Sequence, residues 1–235
     1  MIRLALMGHY SPNLLMGNRA FSFINFASIG SFIRQPPPSV AYFCDGMLMS
    51  GFMSRVTGQP VQRVSFDFTS IADPVLRDAE QQQLTVYIVG ATQVELEAFI
   101  VKLRGRYPRL IIAGAHNGYF NQAQAANLHA DIRTSAANLL LVGLGAGLQE
   151  RFVIDALNAG FAGVAFTCGG FIRQEASASE CYYPAAINRL HLRAFYRMYR
   201  EPHTIKRYLL DYPRNFLQLA EMIVRHKVAI DITAP

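Results

Sequence analysis

The chain is poor in cysteine. Cys44, Cys168 and Cys181 are the three among 235 residues, and their spacing matches neither a zinc motif nor a fully paired disulfide framework. This argues against a metal- or disulfide-stapled scaffold. It points to a reducing cytoplasm, where the thiols act as small core residues. Long apolar runs are also missing. No stretch of eighteen or more residues is both uncharged and apolar enough to cross a bilayer. The apolar stretch 20–33 is too short for that and reads as a buried helix. The opening Met1-Ile2-Arg3-Leu4 lacks the layout of a secretory signal. No internal repeat or low-complexity tract is visible, and glycine is absent from Tyr183 onward.

Apolar residues are plentiful. They make up 51% of the chain, enough to bury the core of one α/β domain with an appendage. Three strand candidates, over 84–90, 110–114 and 138–143, close on Gly90, Gly114 and Gly143. Helical periodicity fills the gaps between them. Thr92 with Glu95 forms a capping-box pattern, and Asn121 stands as the cap of the next helix. Further strands are expected over 40–44 and 161–168, and helices over 69–83, 121–132 and 147–158. Strands alternating with helices predict an α/β fold: a mostly parallel, Rossmann-like sheet with helices on both faces. The division expected is a catalytic α/β unit over 1–178 and a basic, aromatic-rich helical appendage over 179–235, broken near Pro202 and Pro213.

Several strand ends carry chemistry. Asp45-Gly46 follows the 40–44 strand, at the edge where open α/β sheets bind ligands. Its carboxylate suits either a general base or an ordinary turn. Gly114-Ala115-His116-Asn117-Gly118-Tyr119 offers close approach, polar groups and a ring for stacking, or else a loop packed on the core. Gly143-Leu144-Gly145-Ala146-Gly147-Leu148-Gln149-Glu150 opens a helix, so free N–H groups face an incoming anion. It matches neither the dinucleotide fingerprint nor the phosphate-binding loop with lysine. Gln149 and Glu150 are ordinary helix-start residues or contacts for a sugar or a base edge.

Between residues 189 and 214, seven basic residues stand against Glu201 and Asp211 alone. Arg189, Arg193 and Arg197 fall at i, i+4 and i+8, which predicts one helix face, with Arg200 following. Such a stripe is either a solvated basic face or a grip on a diphosphate or an anionic membrane surface. The interleaved Tyr182, Tyr183, Phe195, Tyr196, Tyr199 and Tyr208 argue against a nucleic-acid arm.

In this order and spacing the pieces resemble the WecG/TagA/CpsF family of bacterial glycosyltransferases, over about 21–216. The resemblance is carried by Val89-Gly90-Ala91, Arg106-Tyr107-Pro108-Arg109-Leu110, Gly114 through Phe120, and Leu141 through Ala146 with Gln149-Glu150. Tyr196-Arg197, Glu201-Pro202 and Arg207-Tyr208 continue it. It implies an inverting, metal-independent and cofactor-free transfer from a UDP-sugar to a polyprenyl-diphosphate-linked sugar in bacterial polysaccharide synthesis. It also implies a peripheral site on the inner face of the bacterial plasma membrane. Asp45 would be the base, and Asn25 a partner in the first segment. Gly90, Gly114, His116, Asn117, Tyr119, Gly143, Gly145, Gln149 and Glu150 would line the donor site. Arg197 and Arg207 would meet the acceptor diphosphate, joined on helix geometry by Arg189, Arg193 and Arg200. Subunit pairing through exposed apolar surface of the appendage is a further expectation. Gly147-Leu148, Ile172 and Thr204 stand where the family usually has Pro-Lys, aspartate and arginine. These departures leave the donor sugar open and keep a competing reading, a non-catalytic nucleotide-binding subunit of an assembly complex.

Overall fold

The computed structural model describes residues 1–178, 182–190 and 192–233. Along these residues the elements are β1 (Ile2–Met7), a 3-10 turn (Pro12–Leu15), β2 (Arg19–Ile24), α1 (Ile29–Arg34), β3 (Val40–Cys44) and α2 (Met47–Thr57). Then come α3 (Ala72–Gln81), β4 (Thr85–Gly90), α4 (Gln93–Arg106), β5 (Ile111–His116), α5 (Gln122–Thr134), β6 (Leu139–Gly143) and α6 (Leu148–Asn158). The chain closes with β7 (Val164–Thr167), α7 (Phe171–Ala176), α8 (Ala185–Arg189), α9 (Arg193–Arg200), a 3-10 turn (Pro202–Thr204), a π-helical turn (Arg207–Asp211), α10 (Tyr212–Val224) and β8 (Val228–Thr233).

The strands form one parallel sheet in the order β5-β4-β6-β7-β2-β3-β1-β8. Residues of period two divide between its faces. Leu140 and Val142 join Ala20, Ile24 and Tyr42 in a core under α1, α2, α5, α6 and α10. Leu139 and Leu141 join Phe21, Phe43 and Phe166 in the opposite core under α3, α4 and α7. Burial on both faces explains why these strands are near-continuous apolar runs rather than alternating ones. The capping boxes at Thr92–Glu95 and Asn121–Gln124 both form and set the starts of α4 and α5. Phe171 lies edge-on to Phe66, Phe68 and Phe99, with centroids at 5.4, 5.0 and 5.3 Å. Burying such a ring contributes about 1.5–3 kcal/mol. Here it pins α7, and with it the turn Gly169-Gly170 that becomes part of the rim.

Four expectations need correction. Stretch 20–33 is not one helix. Residues 19–24 form β2, with Ala20 and Ile24 in one core and Phe21 in the other, as period two places them. The Asn25 side-chain oxygen then accepts from the backbone N–H of Ala27 and Ser28, at 2.8 and 3.1 Å, and turns the chain into α1. The segment 179–235 is not wholly helical, because β8 joins the sheet beside β1, in register from Ile2↔Val228 to Met7↔Thr233. Val228, Ile230 and Ile232 supply the alternating apolar residues for it. The arginine stripe is not one helix either. Leu190 N–H donates to Ala186 O and Leu192 N–H to Ile187 O, which stops α8 before Arg193 opens α9. Finally, Pro213 does not break the helical run: the π-helical turn 207–211 passes directly into α10, with Pro213 in its first turn. Cys44 and Cys168 are buried free thiols. Cys181, and the expected boundary beginning at residue 179, lie outside the described residues.

Candidate active site at the carboxyl rim

From β4 the chain moves outward to β5, then returns to β6 on the other side of β4. This reversal makes a topological switch point, the crevice where open α/β sheets take ligands. Gly90 and Gly143 are register partners on its two walls. A methyl group at Gly90 would come within 2.7 Å of Gly143 O, and one at Gly143 within 2.8 Å of Gly169 O. The glycines thus let three strand ends close on one another. Ile172 Cδ1 packs against both positions, so the rim carries an apolar group where the family resemblance leads one to expect aspartate. Gly145, in contrast, faces open space with φ +85°, leaving backbone accessible ahead of α6.

Asp45 follows β3 and lies on the same rim. Its carboxylate accepts from Asn25 Nδ2 at 3.2 Å, so the sequence-selected pair meets across neighbouring strands. Gly46, with φ +87°, lets the chain turn at once into α2. Burial raises the Asp45 pKa above the ordinary carboxylate range, and Asp67 adds to the rise. Arg63, the Asn25 hydrogen bond and Arg197 oppose it. Tyr183, Tyr208 and Tyr212 stand close enough that the Asp45 charge adds to the upward push of burial on their hydroxyls.

Arg197 brings the C-terminal segment to this rim. Its Nη2 lies 3.5 Å from where a Gly170 Cβ would stand. Its Nε is buried without a hydrogen bond; Glu201 Oε1 is the nearest carboxylate oxygen, at 3.7 Å. Burial opposes its charge, but Tyr183, Glu201, Tyr208 and Asp45 outweigh that and hold the guanidinium protonated. Glu201 is buried and accepts from Tyr182 Oη at 2.6 Å and Gln174 Nε2 at 2.9 Å, with Arg173 on its other oxygen. It thereby ties the end of α9 to α7. Thr204, which replaces an expected arginine, is buried and donates from its hydroxyl to Glu201 O at 2.7 Å. It closes a turn and points no charge at a ligand.

The remaining predicted residues divide. Tyr119 is 75% exposed, so its ring is free to stack. The Asn117 oxygen accepts from Tyr119 N–H at 2.9 Å, and Gly118 N–H donates to Ala91 O at 2.8 Å, which folds this loop onto Gly90-Ala91. His116 Nδ1 lies 2.7 Å from Asn117 O. A Cβ at Gly114 would run into the Tyr87 ring, so that glycine serves packing. Both carboxylate oxygens of Glu150 are already engaged, one by Ser22 Oγ at 2.6 Å and one by Gly147 N–H at 2.6 Å. Gln149 donates to Glu150 at 3.1 Å and accepts from Gly169 N–H at 3.1 Å. These two residues brace the β6 and β7 loops against each other. Arg193 is engaged by Asp67, Thr69 and Asn188, while Arg189, Arg200 and Arg207 are solvent-exposed.

Sequence reasoning missed Arg63 and Asp67. They lie in an extended segment after α2, held beside β3 by Val64 N–H donating to Cys44 O at 2.8 Å. The available signal was two charges set among Val61, Val64, Phe66 and Phe68, all of them buried.

An open parallel sheet with glycine loops at its switch point, and a carboxylate with guanidinium groups nearby, is a Rossmann-like α/β fold whose carboxyl rim is its candidate active site. The model of the glycosyl transferase WecG/TagA/CpsF family matches residues 39–229, and the chain belongs to that family of glycosyltransferases. It is similar to the UDP-Gal:alpha-D-GlcNAc-diphosphoundecaprenol beta-1,4-galactosyltransferase of Shigella boydii. The two are 31% identical over 172 residues, which span 73% of this chain and 72% of that protein. Among the described residues no helix is long and apolar enough to cross a membrane.

Proposed function

We propose that this glycosyltransferase moves a sugar from a UDP-sugar to a saccharide on a polyprenyl diphosphate, with inversion at the anomeric carbon. The observation that carries the reading is the position of Arg197. It joins the C-terminal helices to the rim, beside the only carboxylate there whose pKa is raised among the described residues. β6 and β3 are three strand spacings apart, about 14 Å at ~4.8 Å per strand. A nucleotide sugar can span that distance. Its diphosphate would lie over Gly145 and Gly169 and its sugar toward Asp45, with the uracil on the β6 side of the switch point.

The acceptor hydroxyl attacks the anomeric carbon and gives its proton to Asp45, held in place by Asn25. The bond from that carbon to the UDP oxygen breaks, and UDP leaves with the electron pair. Negative charge growing on the departing diphosphate meets N–H groups of the glycine loops and the guanidinium of Arg63. Fixed donors in such a site contribute several kcal/mol of transition-state stabilisation. The acceptor diphosphate would lie under Arg197. The test is a panel of UDP-sugars, UDP-galactose included, incubated with a prenyl-diphospho-N-acetylglucosamine and read by mass spectrometry. One donor is expected to give a β-linked product. UDP binding with no product from any donor rejects the transfer.

The same reading puts the enzyme on the anionic inner face of the plasma membrane as a peripheral protein. Phe195, Tyr199, Leu209, Leu210 and Leu217 are all more than half exposed, and Arg200, Lys206 and Arg207 lie among them. Apolar side chains beside cations suit an interfacial contact. Leu209→Ser with Leu210→Ser is expected to weaken binding to anionic vesicles about tenfold, from the lost apolar burial. Unchanged co-sedimentation moves the membrane contact elsewhere. Pairing of subunits through the same apolar surface remains part of the proposal.

A further inference from the structure

Asp67 is 8% exposed and reaches from the extended segment after α2 to the start of α9. Its Oδ2 accepts from Arg193 Nη1 at 2.8 Å and from Ser65 Oγ at 2.6 Å. Its Oδ1 accepts from Thr69 N–H at 2.9 Å and from the Thr69 hydroxyl. Ser65 Oγ in turn accepts from Arg63 Nη2 at 2.6 Å and Arg193 Nη1 at 3.3 Å. Arg193 is further held by Asn188 Oδ1, which accepts from its Nε at 2.9 Å, and its guanidinium lies over the Tyr183 ring, 4.7 Å from the centroid. One carboxylate therefore reaches Arg193 directly and Arg63 through a single hydroxyl. Arg197 is one helical turn beyond Arg193 on α9.

We propose that Asp67 is a positioning residue that fixes Arg63 and, through Arg193, the whole of α9 with Arg197, so that both cations face the reaction centre. This rests on the functional reading above. Burial opposes ionisation of Asp67, but Arg193, Ser65, Thr69 and Arg63 outweigh it and keep the carboxyl below its ordinary range. A buried ion pair of this kind contributes less to net stability than to the uniqueness of one arrangement, because desolvation offsets much of the attraction. Arg193 and Asp67 are 126 positions apart in the chain, so the pair closes α8 and α9 over the rim as a latch. The residue that reads on paper as a second phosphate ligand, Arg193, acts as the latch's other half.

The test uses the full chain with two probes, UDP and farnesyl diphosphate, each titrated by calorimetry, with hydrogen exchange followed over 193–200. Asp67→Asn keeps the shape and removes the charge. It is expected to weaken farnesyl diphosphate binding at least tenfold, to weaken UDP binding by a smaller factor through the loosened Arg63, and to speed exchange in α9. Arg193→Gln attacks the same contact from the other side and guards against a folding failure of the first variant. The double variant is expected to lose no more than either single one, as coupled partners do. Unchanged farnesyl diphosphate binding in both single variants, an equal fall in UDP affinity, or additive losses would each overturn the latch. Arg197→Ala separates the two levels. If it abolishes farnesyl diphosphate binding while Asp67→Asn does nothing, the latch alone fails. If neither has an effect, the acceptor reading fails as well.

Discussion

An Asp45→Asn protein is expected to fold with wild-type cooperativity and to turn over at least a hundredfold more slowly, the usual cost of deleting a general base. The substitution keeps an oxygen to accept from Asn25 Nδ2, so local geometry has no reason to change. What disappears is the group that takes the proton from the attacking hydroxyl. The pH profile gives an independent check. A base must be deprotonated, and burial raises the Asp45 pKa. The acid limb of kcat/KM should therefore lie at higher pH than for an ordinary carboxylate. Arg63 is the largest influence holding that pKa down. Arg63→Gln should thus move the limb to still higher pH, whatever it does to the maximal rate. Near wild-type turnover in Asp45→Asn would remove Asp45 from the base role. An acid limb indifferent to Arg63 would remove Arg63 from its neighbourhood.

The second large effect concerns Arg197. Its side chain is half-buried, and its buried Nε has no hydrogen-bond partner. A charged donor held this way binds a diphosphate without first giving up a strong internal ion pair. Removing it should cost about 2–3 kcal/mol in prenyl diphosphate affinity, a factor near one hundred. UDP should still bind within a fewfold of normal, because the glycine loops are untouched. Arg200 and Arg207 are exposed, so their alanine variants should lose less than threefold in the same titration. Equal losses at all three positions would show that bulk positive charge, and no particular geometry, draws the acceptor in.

Much of this protein is written in short windows of its chain. β3 at 40–44 forms over the residues expected for it, because β-branched and aromatic residues are bounded there by turn signals. The Thr92 and Asn121 caps form as read, since a capping box needs residues only three positions apart. Gly90 and Gly143 stand at strand ends where backbones crowd. Asn25 and Asp45 come together because each follows a strand of one parallel pair. The family resemblance, spread over eight short motifs, was legible on the same scale.

Other features depend on partners far along the chain. Val228 to Thr233 carries the alternation of a strand in Val228, Ile230 and Ile232, but its place in the sheet is set by β1, which offers a free edge more than two hundred positions earlier. The arginine stripe obeys helical spacing on paper. Yet α8 stops at Arg189, and Arg193 turns inward to a carboxylate that no window around it contains. Glu150 looks like a sugar ligand until Ser22 arrives from another strand to occupy it. Periodicity and capping act through neighbours a few residues away, so a linear reading recovers them. The partner of a buried charge is chosen by which distant segments pack together, and that is known only once the sheet has closed.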